Sequence, residues 1–199
     1  MPAKIFNIVV LFIAVFCASA VYAGDLEDGV AAYEKKNYAV AMTKFKKAAA
    51  QGLAEAQSNL GLMYNKGQGV VQDYAEAVKW WKLAAAQGVA VAQYNLGFMY
   101  YGGQGVVQDY AEAVKLFRLA AAQGRTDAQY NLGFMYGNGQ GVVQDYVRAH
   151  MWWNLAAVKG DADAVKSREV VAAKMTTQQI AAAQKLAREC QDRNYKNCD

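Results

Sequence analysis

Between residues 53 and 160 the apolar positions keep helical spacing, stop, and start again. Ala56, Leu60 and Tyr64 lie four apart, which sets them on one face of a helix running from about Ala56 to Tyr64. Gly61 beside Leu60 leaves room for a neighbouring helix. A second helix is predicted from Asp73, with Asp73 and Glu76 as a capping pair and Ala77, Trp81, Ala84 and Ala85 as its buried stripe. Gly67 and Gly69 shape the loop between the two helices, and Gly88 ends the second.

The whole pattern then repeats. Tyr74, Tyr110 and Tyr146 are 36 residues apart, and GQGVVQDYAEAVKWWKLAAAQG from Gly67 returns as GQGVVQDYAEAVKLFRLAAAQG from Gly103 and, in drifted form, from Gly139. AQYNLGFMY stands at Ala92–Tyr100 and at Ala128–Tyr136, with a cousin at Ala56. Three units follow, 53–88, 89–124 and 125–160. In the third, Arg148 replaces the acidic partner of Asp145, so that cap is expected to be half lost. A lone helix pair cannot bury such a stripe, whereas stacked pairs can. The prediction is therefore an all-α fold, a right-handed α-solenoid of stacked helix-turn-helix repeats.

The segments outside the array read differently. Residues 24–52 keep Tyr33, Tyr38, Ala41, Phe45, Ala48, Ala49 and Gly52 but lack the Gly-rich loop, which fits an N-terminal capping pair. Residues 161–199 begin with one more helix, Ala164 in register. A last helix is capped by Thr176 or Thr177, and its Ile180, Ala183 and Leu186 can cover the open end. Residues 1–23 have a charged start at Lys4, an apolar run from Ile5 to Cys17 and small residues up to Ala23. That is the pattern of a secretory signal peptide, cleaved before Gly24 or after Ala20. The run is short of the roughly 20 residues that span a bilayer, so the mature chain is expected to be periplasmic or secreted, with no stable membrane insertion. Bulky Phe16 before Cys17 argues against lipidation.

Composition narrows the function. Apolar residues make up 55% of the 199, and Pro2 is the single proline. The formal charge of +4 is small and evenly spread, which argues against nucleic acid as a partner. Catalytic sets are scarce. His150 is the one histidine and takes the place of Val78 and Val114, so it reads as a packing residue. The glycine loops follow helices rather than strands and lack a GK[ST] ending, so they form turns rather than phosphate cradles. Trp81 and Trp153 align with Phe45 and Phe117 as core, and Trp80 and Trp152 are expected to be partly buried. No catalytic residue, cofactor or metal ligand is expected. Cys190 and Cys198 are the only thiols left after signal cleavage, and in an oxidising compartment such a pair is expected to form a disulfide.

The motif A-x-x-x-L-G-x-x-Y, then G-x-G-V-x-x-D-Y, then A-x-x-W-x-x-x-A-A-x-x-G resembles the Sel1-like repeat family, relatives of the tetratricopeptide repeats. In the first unit these are Ala56, Leu60, Gly61, Tyr64; Gly67, Gly69, Val70, Asp73, Tyr74; Ala77, Trp81, Ala84 or Ala85, and Gly88. The resemblance implies an exported adaptor that binds a protein or peptide partner, such as an envelope or secreted protein. The alternative it carries is a β-lactamase-like or penicillin-binding enzyme. That group has a cysteine pair in each repeat, and no repeat here contains a cysteine. In such stacks the first helix of each pair lines a concave groove. Helical geometry then directs Ser58, Leu62 and Asn65 into it, and 36 residues on Tyr94, Phe98 and Tyr101, then Tyr130, Phe134 and Gly137. Gln57, Gln93, Gln129, Asn95 and Asn131 are expected beside them as partners for a peptide backbone. The candidate partner-binding residues are thus Leu62, Tyr94, Phe98, Tyr101, Tyr130 and Phe134.

Overall fold

The computed structural model describes residues 24–198. The expected signal segment, with Cys17, lies outside the described residues. Among those described, the regular structure is all helical. Residues 24–34 form α1, followed by α2 (Tyr38–Ala50), α3 (Ala54–Lys66), α4 (Tyr74–Ala86), α5 (Ala90–Gly102), α6 (Tyr110–Ala121), α7 (Thr126–Asn138), α8 (Tyr146–Val158), α9 (Ala162–Ala172) and α10 (Thr177–Asp192). The chain divides into two compact units, one up to Ala84 and one from Ala85.

In the first unit the core is built on Phe45, Leu60 and Met63, each at most 1% exposed, with Tyr33, Tyr38 and Tyr64 packed around them. Trp81 is also buried, and its indole N–H donates to the Ser58 carbonyl at 3.1 Å. A Cβ added at Gly61 would stand 2.5 Å from that indole, so the glycine is what lets α4 lie against α3. In the second unit Phe117, Leu132, Met135, Met151, Trp153 and Leu155 form the core. Gly97 faces Phe117 there, and Gly133 faces Trp153, in the same way. The repeated aromatic and the repeated glycine are two halves of one contact.

The loops reach beyond their own helix pair. A Cβ on Gly141 would meet the Tyr110 carbonyl oxygen at 2.3 Å, and one on Gly69 would meet that of Tyr38 at 2.6 Å. At Gly69 and Gly141 the glycine is therefore required by a close backbone approach to the preceding pair, in addition to its positive φ of about 70°. The cap between helices also differs from the expected reciprocal box. Asp73, Asp109 and Asp145 accept from the backbone N–H three residues on. Their own N–H groups are already taken, however, by the carbonyls of Tyr64, Tyr100 and Tyr136. Glu76 and Glu112 are thus free to pair with Lys79 and Lys115. Arg148 takes nothing away from the third cap; it pairs with Asp145 at 2.6 Å.

Both ends are finished differently from the repeats. In α1, Asp25 and Asp28 both hold the Lys44 ammonium, each at 2.7 Å. The hydrogen bond from Lys44 keeps the Asp25 carboxyl below its ordinary value of 3.8. At the other end Thr176 and Gln179 make a complete capping box for α10, whose Ala183, Ala187 and Cys190 are buried. Cys190 and Cys198 stand with their Cα atoms 5.0 Å apart and their sulfurs at bonding distance. Trp152, expected to be partly buried, is 2% exposed, because α9 and α10 both pack against α8.

Candidate functional site

Helices α5 and α7 carry nearly the same sequence, and each has two apolar faces. One face is core: Ala92, Leu96, Gly97 and Met99 in α5, and Ala128, Leu132, Gly133 and Met135 in α7. The other face carries Tyr94, Phe98 and Tyr101 in α5 and Tyr130 and Phe134 in α7. A helix apolar on both sides needs two burials, and the core supplies only one.

Four of these rings gather around a single cavity of about 190 Å³. Phe98, Tyr101, Tyr130 and Phe134 form its walls, while Phe117, Asn131 and Met135 complete the lining. Tyr101 is the hub. Its ring lies 5.5 Å from that of Tyr110 and 6.4 Å from those of Phe98 and Phe134. Phe98 and Phe134 remain 46% and 38% exposed, so they form the open lip. The lining holds no charged side chain; its side-chain groups that can both donate and accept are the Asn131 amide and the Tyr101 and Tyr130 hydroxyls.

Tyr94 takes another role. Its ring is 5.7 Å from that of Phe117, and the Arg125 guanidinium lies 5.2 Å over it. The Asn131 amide donates to its hydroxyl at 3.5 Å. Burial, reinforced by the charge of Asp127, raises the Tyr94 phenol above its usual value, and so it stays neutral. Arg125 is held in turn by Asp127, through a short ion pair and a second bond of 2.9 Å from Nε. Tyr94 is therefore a half-buried support of the aromatic wall. Leu62, in the first unit, is half-buried on α3.

Two expectations of the groove are corrected. Ser58 is 8% exposed and belongs to the packed face, where its carbonyl takes the Trp81 indole. Gln57, Gln93 and Gln129 also point inward. Gln57 and Gln93 donate to the Ala49 and Ala85 carbonyls near the ends of the preceding helices, at 3.5 and 3.3 Å, adding to the bonds those carbonyls accept from the Gly52 and Gly88 N–H groups. Gln123 adds a bond to the Gln93 side chain at 2.8 Å and one to the Gly88 carbonyl at 2.9 Å. At the matching place in the next unit Lys159 keeps the carbonyl bond, to Gly124, and lays its ammonium over the Tyr195 ring. The buried Gln129 amide finds no partner among the described residues.

Sequence reasoning overlooked Tyr110, Phe117 and Arg125. Tyr110 and Phe117 were read only as repeat structure, although the same positions border the aromatic face. Arg125 carries its own signal, for it breaks a run of Leu53 and Val89 at that point of the repeat. His150 is 4% exposed on α8, and its Nδ1 has no partner among the described residues. Burial first, and then the charge of Arg168, lowers its basicity. Among the described residues no three His, Cys, Asp or Glu side chains are grouped to hold a metal, and no helix is long and apolar enough to cross a membrane.

Comparison with known proteins places this geometry in a family. The Sel1 repeat model matches residues 54–89, 90–124 and 126–161. A protective antigen of uropathogenic Escherichia coli strains, described as having an SLR fold, is 46% identical with a TM-score of 0.69. The match covers 72% of this chain and 32% of that one. A Sel1 repeat protein from Oxalobacter formigenes is 40% identical with a TM-score of 0.68, over 73% of this chain and 59% of its own. This chain thus spans less than two thirds of either relative. No curated protein matches it. With three matched repeats and helix pairs joined by the glycine–aromatic contact, the chain belongs to the Sel1 repeat family.

Proposed function

We propose that this protein is an exported, non-catalytic scaffold that seats an apolar or aromatic side chain of a protein or peptide partner in the cavity between α5 and α7. Protein interaction is the common use of Sel1 repeats, and the single observation that carries the site is the open aromatic lip. Phe98 and Phe134 stand exposed around a space of about 190 Å³, and exposed apolar patches that a core does not need mark partner surfaces. Tyr101 and Tyr130 add wide contact at little cost in side-chain freedom and a hydroxyl that can hydrogen-bond. Export rests on residues 1–23, whose composition is that of a signal peptide. In an oxidising compartment Cys190 and Cys198 form the bridge their spacing allows.

The test is crosslinking capture from envelope extract with the wild type and with Phe98→Ser combined with Phe134→Ser. Both rings are partly exposed, so the melting temperature should hold while capture is lost. Undiminished capture by the double variant overturns the site. N-terminal sequencing of the exported protein checks cleavage before Gly24, and a thiol assay that finds two reactive groups per chain overturns the bridge. Nitrocefin turnover by the purified protein would overturn the non-catalytic reading.

A further inference from the structure

A second surface lies in the unit up to Ala84 and has a different chemistry. Gly29 meets the Phe45 ring as Gly61 meets Trp81 and Gly97 meets Phe117. This fixes α1 in register with the first helix of each later pair. Leu26 and Val30 then hold the places that Tyr94 and Phe98 hold in α5. Together with Leu53 they floor an open groove of about 470 Å³ beside α1 and the start of α3, and Val30 is 39% exposed.

Glu27, Glu34 and Glu55 stand around this floor. All three are exposed, and none makes an ion pair among the described residues. Lys35 and Lys36 follow α1 but do not line the groove. An aliphatic floor ringed by unpaired carboxylates repels acidic peptides and anionic lipid headgroups, and it attracts cations joined to an apolar stripe. The partner's backbone decides the rest. Ionised carboxylates only accept hydrogen bonds, so the side chains of the lining offer no donor to the carbonyls of an extended peptide. A helix satisfies its backbone internally and can lay one face into the groove.

We propose that the groove formed by Leu26, Val30 and Leu53 with Glu27, Glu34 and Glu55 docks a basic amphipathic helix of a partner protein. The inference goes beyond the aromatic cavity and stands on different residues.

The test uses fluorescence anisotropy of the purified protein with two labelled helical peptides. One has leucines on one face and lysines on the other, and its analogue has glutamates in place of the lysines. The lysine peptide should bind and weaken with added salt, while the glutamate peptide should not bind. Glu27→Gln combined with Glu34→Gln and Glu55→Gln should weaken the lysine peptide by about tenfold. Val30→Ser should weaken it separately, by roughly fivefold. Phe98→Ser should leave it unchanged, which separates this site from the aromatic cavity. Equal binding of the two peptides, or unchanged binding to the triple variant, overturns the proposal. So does sedimentation showing self-association that the triple variant abolishes, since the groove would then be an interface between copies.

Discussion

Tyr94 and Phe98 sit one helical turn apart on the same face of α5 and do different work. Tyr94 leans on Phe117, receives the Asn131 amide and lies under Arg125. Tyr94→Ala should therefore cost about 1–3 kcal/mol of stability, measured by urea unfolding. Phe98, 46% exposed, should cost well under that on truncation, within roughly 0.5–1 kcal/mol, and should act on partner capture instead. His150 makes a pH prediction. Its basicity is lowered in the folded state, so between pH 6.5 and that lower value the unfolded chain binds more protons. Stability should then fall as pH drops below 6.5, and His150→Val, which restores the residue found at Val78 and Val114, should flatten that slope. Thermal melts of both proteins across the acid range check it; parallel curves would refute the assignment.

At the scale of the element, the aspartates before α6 and α8 separate a cap from its ornament. Asp145 accepts from the Arg148 N–H at 2.9 Å, and the Arg148 side chain pairs back to it at 2.6 Å while its guanidinium lies over the Tyr136 ring. Asp145→Ala should cost about 1 kcal/mol, as loss of an N-cap does, while Arg148→Ala should change stability by less than roughly 0.5–1 kcal/mol. Equal losses would show that the ion pair, rather than the cap, holds the helix start. The reason the acidic partner is dispensable lies outside the helix: the Tyr136 carbonyl already occupies the Asp145 N–H.

Each of the two compact units has its own core, one around Phe45 and Leu60, the other around Phe117 and Leu132. Repeat arrays hold their stability in units and nearest-neighbour contacts. Gly133→Ala drives a methyl group to within 2.6 Å of the Trp153 indole, an overpacking worth about 1–3 kcal/mol. Hydrogen exchange should show the lost protection in α7 and α8, with α2 and α3 keeping theirs. Uniform loss along the chain would mean that the whole molecule opens as one.

The helix pairs, their 36-residue period and the repeated core aromatic were legible in the sequence because each depends on spacing along one helix. So were Tyr101, Tyr130, Phe98 and Phe134 as a face distinct from the core. Other features depend on what a neighbouring helix presents. The glutamines at 57, 93 and 129 look like surface residues, yet they turn inward, Gln57 and Gln93 onto the carbonyls of a preceding helix. Ser58 shares the repeat position of Tyr94, 36 residues earlier, but is buried by an indole from the next helix. The acidic groove at Leu26 and Val30 became visible only when the contact between Gly29 and Phe45 set α1 in register, four residues short of the sequence period. Periodicity assigns a face to a helix, whereas the packed neighbours decide which face is closed and which remains open to a partner.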